Sequence, residues 1–241
     1  MKLIKLLIPV LAVFLLCSCD KEPTTPVDDQ TNPDNYDNTT GLNDDNSKLF
    51  DFRDNEVYDV ISIGNQMWMA QNLRYEVSGS WYNSSNPSSD YGRLYSWSAI
   101  MDGASSSSGN PSMIKGVCPN GWHLPSDAEW SELEEALGMQ QVYADSTGYR
   151  SNHGTGMKSS SGWYNNGNGT NDSGFNVLPA GICNPLSINA LTGLYRDAVF
   201  WSATEYSSSR AWYRGFYYTE QGVVRNDGNK EFGFSCRCIL D

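Results

Sequence analysis

Two short runs rich in strand-forming residues, 57–63 and 66–69, flank Gly64-Asn65. Gly-Asn between such runs predicts a β-hairpin with a two-residue turn. The apolar period then changes. After Ser126, the residues Trp130, Leu133 and Leu137 recur on one helical face. Ser126 and Glu129 form a capping box, Asp127 and Glu129 sit at the positive end of the dipole, and Gly138 supplies the stop. A helix is therefore predicted over 126–137. A weaker one is predicted over 93–101, with Leu94, Trp97, Ile100 and Met101 inward. From Phe175 onward the pattern predicts strands at 175–182, 199–203, 212–219, 223–225 and 232–240, with turns at Gly222 and Asp227-Gly228. Loops rich in Ser, Asn and Gly occupy 78–90, 102–112, 151–173 and 184–196. The expected class is α+β: two main helices, a mixed or antiparallel sheet, long loops and disulfide support.

The first residues break this pattern. Lys2 and Lys5 precede an apolar stretch, 6–16, that is too short to span a bilayer, and Cys17-Ser18-Cys19 follows. Leu16-Cys17-Ser18-Cys19 resembles the lipobox of bacterial lipoproteins, with Cys17 where a smaller residue is usual. The resemblance implies a signal peptide over 1–18 and a lipidated Cys19 as mature first residue. A multiply acylated terminus holds a membrane stably where a single chain is marginal. The expected location is the cell envelope, at the outer membrane or cell surface, with the membrane as partner through the lipid. Residues 20–49 carry eight acids against two lysines, a net −6, and hardly a large apolar side chain. Such composition predicts a disordered acidic tether over 19–49, ahead of one domain over 50–241.

Charge narrows the partners. The 28 acidic against 16 basic residues give a net charge of −12, which repels phosphate backbones and argues against nucleic acid. Aromatic residues make up 12% of the chain, with 14 Tyr and 8 Trp, so the expected core is aromatic. Trp68, Trp201 and Trp212 are assigned to it.

With Cys19 taken by lipid, the domain keeps Cys118, Cys183, Cys236 and Cys238. An even number in an exported domain predicts disulfides. Cys236 and Cys238, two apart on one strand face, bridge to each other only with distortion. Each is expected to reach back, one to Cys118 and one to Cys183. The spacings fit neither zinc nor a redox Cys-x-x-Cys.

The segment Cys118-Pro119-Asn120-Gly121-Trp122-His123-Leu124-Pro125-Ser126, followed by Glu129-Trp130, resembles the Fibrobacter succinogenes major paralogous domain. Residues 60–73, 91–101, 172–181, 200–205 and 233–238 resemble it in the same order and spacing. That family is found on lipoproteins and secreted proteins. It looks like a distant relative of C-type lectin-like folds and of formylglycine-generating enzymes. The resemblance implies a C-type lectin-like domain with Cys118 paired to Cys238, and leaves Cys183 and Cys236 as an extra pair. His123, between two apolar anchors, is expected to be a satisfied core or edge residue rather than a ligand.

Three functions compete. The first is a non-catalytic binding or adhesion module for polysaccharide. Aromatic plates and polar grips suit sugars, and residues 162–172 offer Trp163, Tyr164, Asn168, Asn171 and Asp172. In a C-type lectin-like fold Tyr195 and Glu205 would face that loop. The same Asn/Asp group makes calcium a weak candidate, without EF-hand spacing; no other cofactor or metal is expected. The second is a structural or assembly subunit that binds a surface protein. The third, a formylglycine-generating type of enzyme, needs reactive cysteines, and these are expected in disulfides. No catalytic residue is assigned: two histidines without a nucleophile motif make no hydrolase, and no carboxylates pair as acid and base.

Overall fold

A computed structural model describes residues 36–83, 89–187 and 190–241. The expected signal peptide, Cys19 and the tether up to residue 35 lie outside the described residues. The elements in chain order are β1 (Lys48–Asp51), β2 (Glu56–Ile63), β3 (Gln66–Met69), β4 (Ser80–Trp81), β5 (Leu94–Tyr95), α1 (Trp97–Met101), β6 (Trp122–His123) and α2 (Asp127–Ala136). Then follow β7 (Gly148–Arg150), α3 (Gly154–Met157), β8 (Ile182–Cys183), β9 (Leu191–Thr192), β10 (Asp197–Ser207), β11 (Arg210–Tyr217), β12 (Val223–Asn229) and β13 (Ile239–Leu240). The architecture is α+β and sheet-rich. One sheet has the order β1-β2-β3-β13-β6, a second β10-β11-β12-β7, and two short pairs, β4-β5 and β8-β9, complete it.

The hairpin forms as predicted, with Ile63 opposite Gln66 across Gly64-Asn65. The capped helix forms too: Ser126 Oγ accepts from Glu129 N–H, and Glu129 Oε2 accepts from Ser126 N–H at 2.9 Å. The weaker helix is shorter than expected. Ser96 caps it, so α1 begins at Trp97, and Leu94 and Tyr95 instead pair with Trp81 and Ser80. Asp227 and Gly228 lie inside β12 rather than in a turn, because their ladder to β11 runs on to Asn229. Of the strand expected over 232–240, only β13 joins a ladder, with single bridges at Gly233, Phe234 and Ser235.

The domain boundary moves forward. Leu49 pairs with Tyr58, and Leu42 and Leu49 are buried, so residues 36–49 belong to the fold and not to a disordered tether. Trp122 seals this segment by donating its indole N–H to Thr40 O at 2.7 Å. Gly121, at φ 74°, lets it approach: a Cβ there would lie 2.9 Å from Thr40 Cγ2. Leu42, Leu49, the Tyr36–Phe50 ring contact and backbone hydrogen bonds from Asn43 to Lys48 and from Phe50 to Gly41 dock a stretch whose mean composition is that of a tether.

The core is aromatic. Trp68, Trp130, Phe175, Phe200 and Phe216 form one cluster, with Trp68 and Trp130 ring centres 4.9 Å apart. Tyr58, Tyr95, Trp122 and Trp201 form another around Cys118, Cys236 and Cys238. Each ring pair adds about 0.5–1.5 kcal/mol beyond its buried area. Trp212 is only partly buried; it lies under the Arg225 guanidinium at 3.7 Å, on the helix side of its sheet. Charged groups fasten α2 there. Asp127 binds Arg214 and Arg225, and Glu134 binds Arg150, Arg214 and His153.

Candidate functional site

The loop singled out for sugar binding is self-contained. Trp163 is 6% exposed, and its indole N–H donates to Ser159 Oγ (3.0 Å) and Val177 O (3.2 Å). It is a core residue and cannot serve as a stacking plate. Asn168 Oδ1 accepts from Trp163 N–H, and Asn171 Oδ1 from Asn176 N–H. Asp172 takes the Thr170 hydroxyl at 2.6 Å. These polar side chains hold their own loop. Tyr164 is exposed, and its N–H donates to Tyr195 O at 2.7 Å, so Tyr195 does meet the loop. Glu205 does not join them. It lies near the far end of β10, roughly 25 Å along the strand from Asp197, paired with Lys230 Nζ at 2.8 Å.

A better groove lies on the face of β10–β12 turned away from α2, with a volume of about 440 Å³. Its floor follows from strand alternation. Tyr213, Gly215 and Tyr217 share one face of β11. Asp197 is opposite Tyr217 on one side, and Asn226 is opposite Tyr213 on the other. Phe232 closes one wall. A Cβ on Gly215 would lie 2.9 Å from Tyr217 Cε2, so the missing side chain lets that ring lie down on the strand. The Tyr217 ring continues to Tyr149 at 6.1 Å, and the Tyr213 ring rests against Phe234 at 5.3 Å. Burial, reinforced by the neighbouring Tyr213, pushes the Tyr217 phenol far above its usual range. Burial also raises Asp197, against the opposing charge of Arg196. The result is a half-buried strip of rings edged by a carboxyl, an amide and phenol hydroxyls. Such a strip can take the apolar face of a ring-shaped ligand and grip its hydroxyls. The signal for it was Tyr-x-Gly-x-Tyr within a predicted strand.

His123 is 2% exposed, with Nε2 2.7 Å from Glu129 Oε1 and Nδ1 2.7 Å from Asp241 Oδ1. Burial disfavours its charge, but Glu129 and then Asp241 outweigh this and raise its pKa. Beside it, Cys118 and Cys238 form the implied bridge. The second expected bridge is absent: Cys183 and Cys236 are buried free thiols. Cys183 pairs by backbone with Gly233, which places Cys236 three residues on and turned to the opposite face.

No curated protein and no solved structure matches the chain. Residues 61–240 match the Fibrobacter succinogenes major domain. The Cys-Pro-x-Gly-Trp-His-Leu-Pro segment, its bridge to Cys238 and the capped helix behind it all fall within that match, and the chain belongs to the Fibrobacter succinogenes major domain family.

Proposed function

We propose that this chain is a cell-envelope lipoprotein, anchored through Cys19, whose domain is a non-catalytic binding module for polysaccharide on a C-type lectin-like scaffold. The observation that carries this reading is the tyrosine strip of β11, with Tyr217 laid over Gly215 and facing Asp197, and Tyr213 facing Asn226. The pairing of Cys238 with Cys118, just ahead of α2, supports the scaffold assignment. Two further observations support binding over catalysis. Both nitrogens of His123 are engaged, Cys118 and Cys238 are oxidised, and the two remaining thiols, Cys183 and Cys236, are buried with their pKa values raised by that burial, so they do not make a ready thiolate pair for formylglycine-type chemistry. The net charge of −12 favours neutral chains over uronate or sulfated ones.

The test is retention of the purified full chain on a panel of neutral and acidic polysaccharides, first with calcium and then with chelator. Retention on a neutral glycan, reduced at least tenfold by Tyr217→Ala or Tyr149→Ala with an unchanged near-UV spectrum, is the expected result. Loss in chelator would add a calcium ion to the site. No retention on any glycan by a folded chain overturns the reading and turns attention to protein partners.

A further inference from the structure

The free thiol of Cys236 is placed against an existing bridge. Its Sγ and the sulfurs of Cys118 and Cys238 all lie within 4.8 Å of one another. The three side chains are buried in one apolar cluster with Tyr95, Val117 and Trp201. Cys236 and Cys238, two apart on an extended segment, both turn toward Cys118. A bond between those two would distort the segment, which leaves Cys118 as the shared partner.

The geometry points to an intramolecular thiol–disulfide exchange site, in which Cys236 takes Cys118 from Cys238 and the bridge exists in two positions. Cys236 gives up its proton, and its thiolate attacks Sγ of Cys118. The Cys118–Cys238 bond breaks, and its electron pair leaves on Sγ of Cys238, which takes up a proton. One disulfide and one thiol stand on each side, so no oxidant or reductant is consumed. Burial pushes the Cys236 thiol up to about 12, with the Arg53 charge opposing. The Tyr95 phenol, itself raised by burial, is the other titratable neighbour. Exchange is therefore slow at neutral pH and quickens with base. In the second isomer residues 237–241 lose their covalent tie. They carry β13, which pairs with β3 and β6, and the Asp241 carboxylate on His123.

Trypsin separates the two candidates, because it cuts after Lys115, Lys230 and Arg237: Cys236 falls in peptide 231–237 and Cys238 in peptide 238–241. The full chain is incubated without reductant at neutral and alkaline pH, quenched in acid, alkylated, digested and mapped by mass spectrometry. The expected result is peptide 238–241 linked to the Cys118 peptide at neutral pH, with peptide 231–237 also linked after alkaline incubation. In Cys238→Ser, refolded in glutathione buffer, peptide 231–237 should carry the bridge. Cys183→Ser should change neither. A folded Cys238→Ser with both Cys118 and Cys236 alkylated overturns the proposal. So does wild type that links only peptide 238–241 at every pH, a result that decides the matter should Cys238→Ser fail to fold.

Discussion

Glu129 joins two functions in one carboxylate: Oε1 holds His123 Nε2 at 2.7 Å, while Oε2 closes the N-terminus of α2 and accepts from Ser112 N–H at 3.1 Å. The His and Glu of the family motif are thus a single buried contact that fixes the helix start to β6. The His123 pKa is raised above its ordinary 6.5. Its contribution is therefore full below that value and lost as pH rises through the folded value. Denaturant midpoints should fall from pH 6 to pH 9 in wild type, and the fall should be much smaller in His123→Gln. That variant should also lose about 3 kcal/mol near pH 6, as expected when one partner of a buried charged pair is removed.

Acid should act through α2. Burial raises the Glu134 carboxyl, but Arg214, His153 and Arg150 together hold it below its ordinary value, and Arg214 and Arg225 do the same for Asp127. Depressed carboxylates stabilise above their unfolded values and lose that contribution as pH falls through the folded ones, so stability should decline below about pH 4. Glu134→Gln leaves Arg150 and Arg214 short of a counter-charge in the interior. It should cost roughly 3–5 kcal/mol, read as a lowered chemical-denaturation midpoint at pH 7.

Gly215→Ala tests the tyrosine strip without removing a ring. The added methyl meets Tyr217 and must lift it from the strand. We expect about 1–3 kcal/mol of destabilisation together with loss of glycan retention in the same chain. Undiminished retention would place the ligand elsewhere.

Trp163→Ala should behave as a core mutation. Loss of a buried indole predicts about 3–5 kcal/mol of destabilisation, measured by thermal or urea unfolding. Lost glycan retention with unchanged stability would instead restore the 162–172 loop as the binding site.

Leu49→Ala probes the forward edge of the domain. Leu49 is fully buried and packs in the cluster of Tyr58 and Trp122. A cost of about 2–5 kcal/mol is expected, whereas a residue in a solvated tether would cost nothing measurable.

What could be read from the chain was local. The hairpin around Gly64-Asn65 and the box of Ser126 and Glu129 are written in neighbouring residues, and both formed. Residues 36–49 read as a tether because mean composition hides the few side chains, Tyr36, Leu42 and Leu49, that dock. The burial of Trp163 is not legible locally, because exposure of an aromatic in a polar loop depends on what the loop folds over, here Ser159 and Val177. The Cys236 environment depends on the backbone pairing of Cys183 with Gly233, a contact between segments fifty residues apart. The β11 strip was within reach, since alternation alone places Tyr213, Gly215 and Tyr217 together. The neighbours that make it a groove come from β10 and β12.

The sheet order β1-β2-β3-β13-β6 carries a consequence for timing. Ile239 pairs with Trp68 on one side and His123 on the other, so late residues of the sequence fill an interior position of the sheet, between β3 and β6. Three strands from the first part of the domain and one from the centre wait, with unpaired edges, for a strand that emerges after all of them. Such long-range closure is slow and leaves hydrogen-bonding edges open meanwhile. A chain built this way stays unfinished until residue 240 is out. Until then β3 and β6 each keep an open edge, ready to pair with any other strand that reaches it.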